Sequence, residues 1–379
     1  MIERLRDRRV VICAGSGGVG KTTTAAALAM GLAAAGRRVA VVTIDPARRL
    51  ADSLGLEELD NEPRLVDPRR FEGHGIVMEG ELWAMMLDPK RTFDELIAAL
   101  APDAGTRDDV LRNRIYQQLS AAVAGSQEFT AVAKLYELHR SGRFDVLVLD
   151  TPPSRNALDF LDAPDRITGF LEGNTLKVFL AKPSGLAGRL LGTGTSVVLS
   201  VLRRLTGVDL LEDLGAFFRS LGTLIDGFRE RAEAVKALLS DPSTTFLIVS
   251  SPEREPVEEA IFFRGKLADH GMPFGGLVVN RAHRLEAVAG DDDADAGAGL
   301  EALEAALGAR LAAKVGRAWT DERALAARDA AALERLRAET GDEAPAVVPQ
   351  LGGDVHDIDG LVAVHAHLFG SGHAAPARA

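Results

Sequence analysis

The stretch Gly15-Ser16-Gly17-Gly18-Val19-Gly20-Lys21-Thr22-Thr23 has the G-x-x-x-x-G-K-[ST] spacing of a phosphate-binding loop. Glycines let successive backbone N–H groups curl around an anion without Cβ clashes. Lys21 has the reach and charge for β- and γ-phosphates, and the Thr22 hydroxyl is a ligand for Mg²⁺. This pattern predicts a nucleoside triphosphate held by residues Gly15 to Thr23. The least expected member is Ser16, an uncharged residue in the middle of the loop.

The surrounding sequence supplies the elements that such a loop needs. Arg9 to Ala14 reads as a buried strand, and Thr22 to Ala35 as an Ala-rich helix closed by Gly36. A strand, a glycine loop and a helix N-terminus in that order aim the helix dipole at the phosphates. Further strands are expected at Arg38–Thr43, Leu82–Leu87, Phe144–Leu149, Thr245–Ser250, Gly276–Asn280 and Ala346–Val348. They alternate with helical stretches. The expected fold is α/β, a P-loop NTPase with a mostly parallel, doubly wound sheet. Ligands in such sheets sit beyond the strand C-termini, where Gly15, Asp45, Asp150 and Asn280 all fall.

Two stretches, 89–141 and 164–239, interrupt the alternation and read as insertions forming one helical subdomain. The second is rich in Leu, Phe and Gly. Its functional reading is a groove for an apolar client or a partner subunit; its plainer reading is structural packing. Residues 284–299, centred on an Asp-rich run, read as an acidic flexible loop, and the tail from Gly370 as frayed.

Bulk properties narrow the classes. The 379 residues carry a net charge of −11, which argues against nucleic-acid binding. Cys13 is the only cysteine, so neither an intrachain disulfide nor a multi-cysteine metal site is possible within one subunit. No apolar signal segment opens the chain. Leu190 to Leu202, the most lipid-like run, is too short for an intrinsic membrane span. A cytoplasmic protein is expected.

Two further segments, Thr43 to Leu54 (with Asp45-Pro46-Ala47-Arg48-Arg49) and Asp150 to Leu158 (with Thr151-Pro152-Pro153-Ser154-Arg155-Asn156), read as switch regions. With Gly15–Thr23, Leu247–Ala260, Leu277–Asn280 and Val348–Leu351, they resemble the arsenical pump-driving ATPase family, which includes the ATPases that target tail-anchored membrane proteins. The chain is most similar to single-unit bacterial members lacking a second "signature" lysine. The resemblance implies an ATPase using ATP and Mg²⁺. Asp45 would position or activate the attacking water, with Lys21 as the other catalytic residue. Thr22, Asp45 and Asp150 would form the metal set. Thr151 to Asn156 would sense the γ-phosphate. Asn280 and Arg281 would lie at the adenine, with the loop around Pro349 closing over it. The residues themselves favour adenine too: Asn280-Arg281-Ala282-His283 lacks the carboxylate that accepts from a guanine edge.

The resemblance also implies a dimer, either a homodimer or a heterodimer with a paralogous ATPase, and an apolar protein client or membrane-protein partner. Ser16 stands where most members carry the lysine that crosses to the partner's nucleotide. Arg48, Arg49 and Arg155 are candidate substitutes. The zinc-binding Cys-x-x-Cys pair, the arsenite-binding cysteines and the tandem duplication are all absent. The alternative is a weakly active regulatory subunit that completes a heterodimer with a lysine-bearing paralogue. A positioning ATPase of the MinD/ParA kind is disfavoured by the lack of a membrane-binding helix.

Overall fold

The computed structural model describes residues 1–45, 47–114, 116–117, 127–151, 220, 222–284 and 296–370. Eight strands form one sheet: β1 (Val10–Ala14), β2 (Arg38–Thr43), β3 (Arg64–Leu65), β4 (Glu81–Met86), β5 (Val146–Asp150), β6 (Thr244–Ser250), β7 (Phe274–Ala282) and β8 (Ala346–Pro349). Their order is β3-β4-β2-β5-β1-β6-β7-β8. Every pairing is parallel except β3 with β4. The seven expected strands are all present. The eighth, β3, is a two-residue exposed edge strand with no apolar run to announce it.

The inner strands β1, β5 and β6 are buried at every position, as continuous apolar runs covered on both faces should be. Twelve helices lie among the described residues. They are α1 (Ile2–Leu5), α2 (Lys21–Ala34), α3 (Arg49–Ser53), α4 (Arg69–Glu72), α5 (Pro89–Leu100), α6 (Ala104–Arg112), α7 (Gln127–Ser141), α8 (Ile225–Ser240), α9 (Arg254–Asp269), α10 (Ala296–Leu307), α11 (Ala309–Thr340) and α12 (Ile358–Phe369). Residues of α2, α3 and α12 join one core cluster, and those of α5, α7, α8 and α9 join the other. A sheet with helices on both faces is the doubly wound arrangement.

The stretch 89–141 is helical where described, and two starts are set by aspartates. Asp88 accepts from Arg91 N and Asp103 from Thr106 N, satisfying N-terminal donors of α5 and α6. The stretch expected as an acidic loop, 284–299, needs a corrected end. Helix α10 begins at Ala296, where the aspartates give way to Ala, Gly and Leu. Most of the 164–239 insertion, residues 285–295, the Ser154–Asn156 part of the second switch and the tail beyond Gly370 lie outside the described residues. No described helix is long and apolar enough to cross a membrane.

Candidate active site

The ends of five strands, β1, β2, β5, β7 and β8, converge on one cleft. The loop after β1 ends at Gly20 and leads into α2, whose first residue is Lys21. Gly20 is left-handed, at φ 92°, and a Cβ there would collide with the Asn280 amide. Gly15, at φ 155°, lies so close to the Val249 carbonyl of β6 that a Cβ would overlap its oxygen. Both glycines are therefore demanded by close packing as well as by turn geometry.

A cavity of about 390 Å³ opens beside the loop, lined by Gly18, Gly20, Lys21, Thr22 and Thr23. Asp45, Arg49, Asp52 and Thr151 form the wall on the switch side. Asn280, Arg281 and the 349–356 segment, from Pro349 to His356, form the opposite wall. Of the expected loop residues, Gly15, Ser16, Gly17 and Val19 do not line this cavity. Gly15 and Val19 face inward, and Gly17 is exposed.

The charges in the cleft are arranged around Asp150. The parallel register puts Thr43 of β2 beside Asp150 of β5. Thr43 Oγ1 donates to Asp150 Oδ2 at 2.8 Å, and Thr22 Oγ1 donates to the same oxygen at 2.7 Å. The other oxygen, Oδ1, is buried without a hydrogen-bond partner. Burial pushes the Asp150 carboxyl up to about 6, against the two hydroxyl donors and Lys21, which pull it down. A buried carboxylate oxygen left unmatched is costly unless a cation or water meets it. The donor set of a carboxylate and a threonine hydroxyl is hard-oxygen chemistry that fits Mg²⁺.

Lys21 Nζ donates to the Ser16 carbonyl at 2.7 Å, folding the ammonium back across its own loop. Burial lowers its pKa, opposed by Asp150, Asp45 and Glu259. Ser16 is itself buried, with an unpartnered hydroxyl. Asp45 is half-buried, and its Oδ1 accepts from Ala47 N at 2.9 Å. The Asp45 side chain thus closes a turn. It does not cap α3, which starts at Arg49 and has no side-chain cap. Asp45 also lines the cleft.

On the far wall Asn280 Nδ2 donates to Val19 O at 2.9 Å, tying β7 to the glycine loop. Arg281 adopts φ 60°, the left-handed region, where a non-glycine residue costs roughly 1–2 kcal/mol. The β7–β8 register shifts between Val279 and Ala282, and this irregularity turns both Asn280 and Arg281 into the cleft. His283, next along, is held by Asp329 of α11 through both its N–H and Nδ1, each at 2.8 Å.

Sequence reasoning quoted Thr43 and Asp52 within the first switch without giving either a role, and on the far wall it stopped at Leu351. Thr43 had one usable signal, a hydroxyl at a strand end two residues before Asp45. Its pairing with Asp150 depends on strand order.

The sequence profile of the anion-transporting ATPases matches residues 8–292. The chain belongs to that family. As an anion-transporting ATPase family member it is a P-loop ATP hydrolase. Among relatives, the ATPase get3 of Neurospora crassa is 28% identical over 289 residues, covering 73% of this chain and 74% of that protein. The ATPase get3 of Aspergillus terreus is 29% identical over 277 residues, 72% of this chain and 73% of its own length. A protein of Aquifex aeolicus named as an arsenical pump-driving ATPase is 28% identical over 260 residues, 66% of this chain and 58% of its own length. The family profile thus spans the glycine loop, Asp45, Asp150 and Asn280, though not Pro349.

Proposed function

We propose that this ATPase is Mg²⁺-dependent, works as a dimer in the cytoplasm, and couples hydrolysis to movement of its helical insertions against an apolar client or membrane-protein partner. The observation that carries the metal dependence is the unpartnered Asp150 Oδ1 beside Thr22. Thr22 and Asp150, with Asp45 at the rim, would hold the cation. When bound, Mg²⁺ neutralises phosphate charge and fixes the triphosphate.

The protein's own groups divide the remaining work. Lys21 releases the Ser16 carbonyl and turns to the phosphate oxygens, exchanging a neutral acceptor for an anion. The loop N–H groups and the N-terminus of α2 hold the anion from below. Asp45 keeps one oxygen on Ala47 N–H and uses the other to orient a water and draw its proton. Arg281 and the segment from Pro349 form the wall expected at the base. The dimer and the apolar client are what the resemblance to tail-anchor-targeting ATPases implies, and relatives named ATPase get3 support that reading.

Turnover of purified protein with MgATP, with ATP plus EDTA, and with MgGTP tests the reading. Hydrolysis is expected only with MgATP. Light scattering with ADP and with a non-hydrolysable ATP analogue tests the dimer. Equal turnover with and without Mg²⁺, or a monomer in every nucleotide state, would overturn the corresponding part.

A further inference from the structure

Strand β7 alternates strictly until it reaches the cleft. Leu277 and Val279 join one core cluster and Val278 the other, as a period of two requires. The next two residues break the pattern, since Asn280 and Arg281 both line the nucleotide cleft. The break coincides with Arg281, the one non-glycine residue at positive φ among the described residues, and with the register shift before Ala282. That conformation costs an arginine free energy, so its neighbours must impose it.

One hold on this turn lies within the sheet, where Gln350 N donates to Ala282 O at 3.0 Å. The other comes from outside it, from α11. Asp329 Oδ2 accepts from His283 N and from His283 Nδ1, each at 2.8 Å. An ionised carboxylate only accepts, so Nδ1 carries the ring proton. The second oxygen accepts from Arg328 Nε at 2.9 Å and from Arg328 Nη2 at 2.7 Å. The Asp329 side chain is 1% exposed. Burial works to raise its carboxyl, and the hydrogen bonds from His283 and Arg328 outweigh it, holding the group below its ordinary value. A buried polar group with every partner in place is rigid.

Helix α11 is fixed to the same strand at a second point. Leu277 N donates to Asp342 Oδ2, just past the helix C-terminus, at 2.7 Å. From Leu277 to His283 the extended chain advances about 20 Å, and from Asp329 to Asp342 the helical chain also advances about 20 Å. The two spans match. Two carboxylates thus take backbone N–H groups at either end of the 277–283 segment, which resists both sliding and straightening. A slip of one residue would carry Arg281 to the opposite face.

We infer that Asp329 is a positioning residue for the nucleotide base: through His283 it holds the left-handed turn that keeps Arg281, beside Asn280, in the cleft. This rests on the reading of Arg281 and the segment from Pro349 as the base wall. Asp329 does not itself line the cleft, so its effect on nucleotide passes through His283 and the turn.

Isothermal titration of full-length protein with MgATP and with Mg-tripolyphosphate separates base binding from phosphate binding. Asp329→Ala should raise the Kd for ATP about tenfold, the scale of a lost charged hydrogen bond, and leave that for tripolyphosphate within about twofold. Asp329→Asn should keep ATP affinity near wild type, because its amide oxygen still accepts from His283. Arg281→Ala should weaken ATP, and adding Asp329→Ala should cost little more, since both act through one turn. His283→Ala changes a partly exposed ring and keeps the backbone N–H. It should show a smaller loss of the same kind, and it carries the test if Asp329→Ala does not fold. Unchanged ATP affinity in Asp329→Ala, or in His283→Ala where that variant carries the test, would overturn the inference and leave the base wall standing. Equal losses for ATP and tripolyphosphate, fully additive losses with Arg281→Ala, or no recovery in Asp329→Asn would also overturn it, leaving a staple between helix and sheet. Wild type that binds ATP no more tightly than tripolyphosphate would overturn the base-wall reading, and the inference with it.

Discussion

Thr22 and Asp150, 128 positions apart in sequence, share a hydrogen bond of 2.7 Å at the base of the nucleotide cleft. One oxygen of the carboxylate is fully engaged and the other has nothing to meet it. The sign of the consequence follows from the raised carboxyl. The folded chain holds this proton to about pH 6, while the unfolded chain releases it near 3.8. Stability from this group is therefore present below about pH 4 and lost as pH rises through 6, a loss of up to about 3 kcal/mol by linkage. Asp150→Asn should raise the melting temperature of the ligand-free protein at pH 7.5. It should also abolish the further rise given by MgATP. Scanning calorimetry checks both, and a full MgATP shift in the variant would separate Asp150 from the metal.

Lys21→Ala should weaken MgATP binding by roughly 10- to 100-fold, the range of a charged hydrogen bond. Among the described residues its acceptor is the Ser16 carbonyl, which solvent can replace. Isothermal titration with ATP and GTP measures the loss and the base preference together. Wild type should bind ATP ahead of GTP.

Asp45→Asn keeps an oxygen for Ala47 N–H and loses the negative charge. Binding should persist and turnover should fall by about 10² or more, in the acid–base range. Single-turnover measurement with saturating MgATP decides it. Near-normal turnover would leave Asp45 only its turn.

Among the arginines proposed to stand in for a lysine at Ser16, the structure separates two. Arg49 lines the nucleotide cleft, whereas Arg48 lines a small separate cavity with Glu58 and Met86. Arg49→Ala should lower turnover, and Arg48→Ala should not. Ser16→Lys should raise it at least tenfold, toward the ~10³ that trans cations reach in related phosphoryl transfer. Steady-state rates of the three variants beside wild type check this.

Gly20→Ala places a Cβ on the Asn280 amide at a left-handed residue. It should cost about 1–3 kcal/mol of stability. Asn280→Ala in the same chain should recover part of that loss, because the collision is removed and only backbone strain remains. Denaturant titration of the single and double variants reads both terms.

The sheet was legible because its strands are unbroken apolar runs, Val146 to Leu149 being the plainest. Local turn chemistry was legible too, since Gly15, Gly20 and Lys21 sit where a phosphate loop needs them. What escaped depends on neighbours remote in sequence. Thr43 joins the site through strand order, and β3 exists only because β4 offers an edge. The wall from Gly353 to His356, past the Val348–Leu351 motif, has none of its own; α12, which follows it, packs on α2. Helix α10 starts earlier than its acidic approach suggested, because alanines and leucines decide a helix more than nearby charge.

That packing has a mechanical consequence. Twelve of the fourteen residues of α2 are buried, and Gly31 lies directly under the Phe369 ring of α12. The glycine loop is fused to one end of this pair of helices and the 350–356 wall to the other member. Close-packed interiors shift as blocks. The loop and the base-side wall therefore form a stator. Leu50, Ala51 and Leu54 on the switch side belong to the same packed cluster, so α3 is anchored to that stator and does not move against it.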